Sequence, residues 1–155
     1  MTVRLPPFQA FLDEHREHVY RFLVALVGAQ EAEDCFQETF LAALRAYPRL
    51  TDTSNLRGWV LTIAQRKAFD AHRTRARSAT PVAAVPDGAG PARAEPEPAL
   101  WAAVRGLPPK QRAAVVHRFV NDLPYREIAR IAGGTEEAAR RNVSDGLAKL
   151  REAWT

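Results

Sequence analysis

The sequence predicts an all-α protein in which two small helical domains are joined by a linker. Apolar residues recur at intervals of three and four on both sides of the linker, as in amphipathic helices. No alternating apolar run lies between hairpin turn residues, so strands are not expected. Residues 79–99, ATPVAAVPDGAGPARAEPEPA, hold five of the eleven prolines and no aromatic residue, which is typical of a semi-extended linker. We therefore expect domains at 1–78 and 100–155.

Three or four helices are expected before the linker. The first begins near Phe8, keeps a helical apolar period to Val27 and ends at Gly28. The second is stopped by Pro48. Its apolar residues are Phe36, Phe40, Leu41, Leu44 and Tyr47. A polar turn, TDTSNLRG at 51–58, precedes the third helix, which is expected to start near Trp59 and to run to about residue 77.

The C-terminal domain is predicted to contain a helix-turn-helix. After residues 100–104, a helix starts at Pro108 and Pro109. Its apolar stripe is Ala113, Val116, Phe119 and Val120. Pro124 opens a short helix, Gly133 and Gly134 supply a turn, and Thr135 is the expected N-cap of the last helix.

The composition limits the cellular environments in which the chain is expected to act. No run of 18 or more apolar residues exists among its 155, so no membrane span and no membrane partner are expected. The N-terminus, MTVRLPPFQAF, lacks the apolar core of a secretory signal. The single cysteine, Cys35, has no internal partner for a disulfide. We therefore expect a reducing, cytoplasmic environment.

Charge is divided unevenly along the chain. The net charge is −3 over residues 1–55, +5 over 56–78, −2 over 79–99 and +4 over 100–155. One acidic and two basic segments indicate two kinds of partner.

The acidic segment is EAEDCFQETF, residues 31–40. On a helix, Asp34 and Glu38 lie four residues apart, beside the apolar stripe of Phe36 and Phe40. Two interpretations remain open: a solvated face whose acids stabilise the helix N-terminus, and a docking surface for a basic partner.

The basic segment is RGWVLTIAQRKAFDAHRTRAR, residues 57–77. Arg66, Arg73 and Arg77 share one helical face with Asp70 between them. These residues suit an ion-pair ladder, but one acid cannot neutralise six bases, and the surplus charge favours a polyanion. Trp59 and His72 could stack on unpaired bases, although Trp59 also suits a core anchor because it begins the apolar stripe.

The last helix presents polar residues on one side and apolar residues on the other. Arginine pairs with guanine and asparagine with adenine in the major groove. Glu136 and Glu137 favour the helix dipole but repel DNA phosphate. The outward residues are Arg140, Arg141, Asn142, Ser144, Asp145 and Lys149; the inward ones are Ala138, Ala139, Val143, Leu147 and Leu150.

Enzymatic chemistry is not expected, and neither a cofactor nor a small-molecule substrate is indicated. The four histidines are scattered, and no Cys/His set has zinc spacing. The chain has no phosphate-binding glycine loop and no serine nucleophile motif. Cys35 is expected to be buried and inert, because neighbouring carboxylates disfavour a thiolate.

Three segments together resemble bacterial RNA polymerase sigma factors of the extracytoplasmic-function group. AEDCFQETFLAALR (32–45) is similar to the family's A-E-D-x-x-Q-E-x-F, and WVLTIAQRKAFDAHRTRAR (59–77) to W-L-x-x-I-A-R-N-x-x-x-D-x-x-R. LPPKQRAAVVHRFVNDLPYREIARIAG (107–133) is similar to L-P-x-x-q-R-x-v-x-x-L-x-x-x-x-x-x-s-y-x-E-I-A-x-x-l-G. The segments occur in the family's order and cover nearly the whole chain except the linker.

The resemblance implies a promoter-specificity subunit that performs no catalysis itself. Sigma domain 2 (1–78) would dock on the clamp helices of the polymerase β′ subunit and recognise and melt the −10 element. Sigma domain 4 (100–155) would bind the −35 element and touch the β flap. An anti-sigma factor is a further partner that the family implies.

The implied sites fall on matching positions of this sequence. The polymerase-binding residues are Asp34, Gln37 and Glu38. The −10 residues are Arg57, Trp59, Arg66, Lys67, Arg73 and Arg77. The −35 residues are Arg126, Thr135, Arg140, Arg141, Asn142, Ser144 and Lys149.

Departures from the motifs keep alternatives open. Gln65-Arg66 stands for the usual R-N, and Asn142 and Asp145 replace expected basic residues in the last helix. These changes put the usual −35 preference in doubt. They motivate a sigma-like DNA-binding regulator that does not initiate transcription, and the acidic first half motivates a helical adaptor in a signalling complex.

Overall fold

The computed structural model describes residues 5–77 and 98–154, and its regular structure within these ranges is entirely helical. The first domain is a bundle of three long helices. Gly28, at a φ of 86°, makes the corner between the first two, and a short 3-10 turn at Tyr47–Arg49 follows the second. The helices are α1 (Phe8–Val27), α2 (Ala29–Ala46) and α3 (Leu56–Arg77).

The second domain contains four helices. The first of them begins at Pro98, within the last two residues of the expected linker, and the rest of that linker lies outside the described residues. The helices are α4 (Pro98–Arg105), α5 (Pro109–Phe119), α6 (Tyr125–Ala132) and α7 (Glu136–Trp154). The all-α prediction and the order of the helices are confirmed.

An aromatic cluster centres the first domain on Phe11, which is fully buried. Its ring centroid lies 5.2 Å from that of Tyr47, 5.7 Å from that of Trp59 and 6.2 Å from that of Phe40. The Tyr47 hydroxyl donates to the Pro6 carbonyl oxygen. Rings at these separations add stabilisation beyond the area they bury, so α1, α2 and the start of α3 are fixed relative to one another.

Close packing in the second domain depends on Gly146. A Cβ atom at this position would lie 2.7 Å from Cγ2 of Val115 in α5. The absence of a side chain therefore lets α7 approach α5 at this point. Ala139 and Val143, earlier in the same helix, are buried as well.

Three large apolar residues of the predicted helices are exposed. Leu41, Leu44 and Phe119 expose 53%, 49% and 60% of their surface. At 100° per residue, the buried stripe of α2 passes through Ala32, Cys35, Thr39 and Ala43, and Leu41 and Leu44 fall outside it. Phe119 is the last residue of α5, beyond the stretch that the other helices cover.

The two domains pack against each other. Nε2 of His117 donates to Oε1 of Gln65 over 2.8 Å, and Nη1 of Arg112 donates to the Leu26 carbonyl oxygen over 2.8 Å. The residues of α5 from Arg112 to His117 are all buried, because neighbours from both domains surround this helix.

Candidate interfaces with protein and nucleic acid

The exposed face of α2 combines acidic and apolar side chains. Asp34, Gln37 and Glu38 all point to solvent, while Cys35 and Thr39 are turned into the core. Leu41 and Leu44 continue the exposed face by one and two further turns. The sequence analysis named both leucines only among the apolar residues of the helix, and their spacing of i+7 and i+10 from Asp34 places them on this side. Such a face suits a protein partner, because apolar area supplies affinity and charge supplies specificity.

The thiol of Cys35 is buried behind this face. Burial, followed by the charges of Glu38, Glu31 and Asp34, raises its pKa to about 11. At neutral pH the group is a thiol, which is a weak nucleophile and a poor metal ligand. The expectation that Cys35 is buried is confirmed.

The start of α3 is built around Asn55. Oδ1 of Asn55 accepts from the backbone N–H of Gly58 over 2.9 Å, which satisfies one of the amide groups that a helix N-terminus leaves free. The Asn55 carbonyl oxygen accepts from the N–H of Trp59. The sequence analysis did not single out Asn55, although an asparagine three residues before a helical Gly58 is an N-cap signal.

The basic residues of α3 occupy different environments. Arg57 is half-buried, and its charge contributes to lowering the pKa of His15 and His18 in α1, after the larger effect of burial. Arg66 and Arg73 are exposed, and Arg73 pairs with Asp70. Two of the six predicted −10 residues therefore present guanidinium groups to solvent.

Two further predicted −10 residues, Trp59 and Lys67, are less accessible. Trp59 is partly buried against Phe11 and Tyr47, in keeping with its interpretation as a core anchor. Lys67 is half-buried. The side chain of Arg77 lies outside the described residues.

The turn between α6 and α7 has the geometry of a Schellman motif. Gly133 adopts a left-handed conformation with a φ of 74°, and the N–H of Gly134 donates to the Ala129 carbonyl oxygen over 3.0 Å. Oγ1 of Thr135 then accepts from the N–H of Ala138 over 3.1 Å. The predicted glycine turn and the Thr135 N-cap are therefore confirmed, and they fix the angle between α6 and α7.

The polar face of α7 is exposed as the sequence predicts. Arg140, Arg141, Ser144 and Lys149 are solvent-exposed, and Asn142 is partly buried. Arg126 and Thr135, at the start of α6 and in the turn, are exposed too.

Arg140 and Arg141 of α7 differ in their contacts. The Arg140 guanidinium donates to Glu136 over 2.9 Å and lies 5.1 Å from the Tyr125 ring centroid. Arg118 of α5 also lies over that ring, at 4.6 Å. Arg140 is therefore held against α6, whereas Arg141 points away from the core.

Other kinds of site are absent from the residues that the structure describes. No group of three or more potential metal ligands occurs there. None of the helices is both long and apolar enough to cross a membrane.

Comparison with known proteins identifies both domains. The family model for Sigma-70 region 2 matches residues 11–78, and that for Sigma-70 region 4 matches residues 98–150. The RNA polymerase sigma factor CarQ of Myxococcus xanthus is 32% identical over 94% of this chain and 87% of its own length. The ECF RNA polymerase sigma factor SigC of Mycobacterium tuberculosis is 33% identical over 81% of this chain and 71% of its own length.

Solved structures agree on the fold. The sigma factor RpoE of Bartonella quintana, in complex with the anti-sigma factor NepR, is 22% identical, with a TM-score of 0.79 over 97% of this chain and 98% of the other. This chain therefore belongs to the RNA polymerase sigma factors of the extracytoplasmic-function group, the subunits that direct promoter-specific transcription initiation.

Proposed function

We propose that the exposed face of α2 docks this sigma factor on core RNA polymerase. Asp34, Gln37 and Glu38 supply the charged and polar contacts, and Leu41 and Leu44 extend them with apolar area. The observation that carries the proposal is this side-by-side arrangement of acids and exposed leucines on a rigid helix. It matches what a basic helical partner such as the β′ clamp helices requires.

The DNA contacts are proposed to be divided between the two domains. Arg57, Trp59, Arg66, Lys67, Arg73 and Arg77, with the loop before α3, would act on the −10 element. Arg126, Thr135, Arg140, Arg141, Asn142, Ser144 and Lys149 would act on the −35 element. In α7, the exposed Arg141 lies about 160° and the exposed Ser144 about 100° around the helix from the buried Val143, so they are the residues best placed to reach base edges. The held guanidinium of Arg140 is better suited to the phosphate backbone.

Catalysis and location follow from this role. The polymerase performs the chemistry, and this chain supplies promoter choice without a catalytic group of its own. We propose that it acts in the bacterial cytoplasm, where its polymerase partner works.

Regulation by an anti-sigma factor is proposed as well. The solved structures of similar fold were determined as complexes of a sigma factor, RpoE with the anti-sigma factor NepR and CnrH with the cytosolic domain of CnrY. A partner of this kind would compete for surfaces that the polymerase and the DNA need.

The docking face is tested by charge reversal. Asp34→Arg should weaken binding to bacterial core RNA polymerase by roughly 30-fold or more, because reversing a charge in a desolvated contact costs about 2 kcal/mol or more. Asp13→Arg, which reverses an exposed acid on α1, is the matched control and should bind like the wild type. Equal affinities of the Asp34→Arg and wild-type proteins would remove the α2 assignment.

The DNA assignment is tested by run-off transcription and by salt dependence. The wild type with core polymerase should give promoter-specific transcripts. Arg141→Ala should relax the sequence preference at one position of the −35 element. Arg140→Ala should weaken binding to all DNA sequences equally, and it should reduce the slope of log affinity against log salt concentration by about one. If the two variants behave alike, the assignment of Arg141 to base edges and of Arg140 to the phosphate backbone is wrong.

A further inference from the structure

The middle of the outward face of α7 carries an acid. Arg141 and Asp145 lie about 160° and 200° around the helix from the buried Val143, so the two together face directly away from the core. Both side chains are exposed, and neither makes an ion pair with another of the residues that the structure describes. Asp145 stands where the similar motif has a basic residue. This chain therefore presents a carboxylate to DNA at a point where the motif places a cation.

Two cations flank this outward line on opposite sides. Arg140 lies about 100° around the helix from Arg141 on one side, and Lys149 lies about 40° from Asp145 on the other. A helix in the major groove has a phosphate strand along each side and base edges in front of it. The cations are thus placed towards the phosphates, whereas Asp145 is placed towards the bases. This arrangement reduces the repulsion that an acid meets at the DNA backbone.

The side chains beside Asp145 towards solvent are small. Ser144 directly precedes it, Ala148 follows three residues later, and both are exposed. An aspartate extends only a short distance from its helix, so it contacts a base edge only where the helix backbone approaches that edge closely. Ser144 and Ala148 leave room for such an approach.

The hydrogen-bonding chemistry of a carboxylate selects its base partner. A carboxylate accepts hydrogen bonds and donates none. In the major groove, only cytosine N4 and adenine N6 carry N–H donors, while guanine O6 and N7, thymine O4 and adenine N7 are acceptors that repel a carboxylate. Adenine N6 lies beside the N7 acceptor of its own base, whereas cytosine N4 lies beside a C–H group. Cytosine is therefore the best partner for Asp145.

The spacing of Arg141 and Asp145 fits the spacing of base pairs. Four residues of an α-helix advance by about 6 Å, and successive base pairs are about 3.4 Å apart. The two side chains therefore meet base pairs that are about two steps apart. Because arginine suits the O6 and N7 acceptors of guanine, the pair suits a guanine and a cytosine at that separation.

We propose that Asp145 is a specificity-determining residue, which accepts a hydrogen bond from N4 of a cytosine in the −35 element, about two base pairs from a guanine that Arg141 contacts. The assignment rests on the proposed role of α7 at that element and deepens it. Asp145 also rejects guanine and thymine on the strand that it faces, because their groove edges offer only acceptors. The exchange of a cation for an acid thereby changes which promoters the chain selects.

Selection from a promoter library tests this assignment. Holoenzyme is reconstituted from core RNA polymerase and the full chain, and the bound members of a library randomised over both promoter elements are sequenced. The wild type should enrich cytosine at one −35 position by about fivefold or more over each other base. Asp145→Ala should lose that enrichment and keep the other positions, and Asp145→Arg should favour guanine there. Glu152→Ala, which removes an acid from the same side of the helix in its last turn, should keep the cytosine.

A modified base isolates the hydrogen bond. N4-methylcytosine still pairs with guanine, but its methyl group takes the place of the N4 hydrogen that faces the groove. At the selected position it should weaken binding of the wild-type holoenzyme by about fivefold or more. The affinity of the Asp145→Ala holoenzyme should change by less than about twofold, because the group that accepts the bond is already gone. Equal losses in the two proteins would overturn the hydrogen bond.

The outcomes of the selection distinguish this assignment from the role on which it rests. A −35 motif without a cytosine preference, or a preference that survives Asp145→Ala, would overturn the assignment of Asp145 and leave the sigma role intact. Loss of the preference in Glu152→Ala as well would show that net charge sets the choice of base, which also overturns the assignment. If the wild type enriches no sequence and yields no transcript, the proposed function fails, and the assignment fails with it.

Discussion

Acidification should lower the free energy of unfolding of this protein through one buried histidine, His117. Burial lowers the pKa of His117 to about 3 from an ordinary value of 6.5. Because the folded pKa is depressed, the folded protein binds fewer protons than the unfolded chain between these values. Stability from this group is therefore complete above pH 6.5 and is lost as the pH falls towards 3.

The size of the effect follows from proton linkage. One proton taken up on unfolding changes the free energy of unfolding by about 1.4 kcal/mol per pH unit. With a folded pKa far below the working range, lowering the pH from 7 to 5 should cost roughly 2 kcal/mol. Burial also lowers the pKa of His15 and His18, so the wild type should lose somewhat more than His117 alone accounts for.

Urea unfolding of the wild type beside His117→Gln isolates the single group. Glutamine does not titrate, and the contributions of His15 and His18 are common to both proteins. Between pH 7 and pH 5, the free energy of unfolding of the wild type should fall by roughly 2 kcal/mol more than that of the variant. Parallel pH profiles, within about 0.5 kcal/mol, would show that His117 is hydrated in solution and that the interdomain contact is absent.

Three smaller changes test local features. Gly146→Ala should destabilise the second domain by about 1–3 kcal/mol in thermal unfolding, because its Cβ meets Val115; an unchanged melting temperature would show that α7 can shift outward freely. Thr135→Ala should cost about 1 kcal/mol by removing the N-cap of α7, whereas Thr135→Ser should recover most of it. Cys35 should resist iodoacetamide at pH 7.5 in the native protein and react in urea, since burial and its raised pKa both suppress the thiolate; rapid native alkylation would contradict this environment.

Local signals in the sequence were sufficient for the helix-turn-helix. Gly133 and Gly134 can adopt the conformations that a Schellman turn requires, and Thr135 caps the next helix with its own side chain. These interactions span only a few residues, so short-range chemistry determines them. The acids of α2 were likewise exposed as predicted, because they fall between the apolar positions of a regular helix.

Contacts between residues far apart in the sequence could not be predicted from the spacing of apolar residues. The sequence suggests two separate bundles, whereas Gln65 and His117 meet across 52 residues of chain. Nothing in the spacing of either residue identifies its partner. Apolar character alone also did not reveal that Leu41, Leu44 and Phe119 are exposed, because apolar residues occur at protein surfaces as well as in cores.

The burial of α5 by both domains links the stabilities of the two domains. This helix packs on α1 of the first domain and on α6 and α7 of the second, and its residues from Arg112 to His117 are buried. If either domain unfolds, α5 loses part of its cover and exposes apolar side chains such as Val116. The two domains should therefore unfold together in one cooperative transition and not in two separate ones.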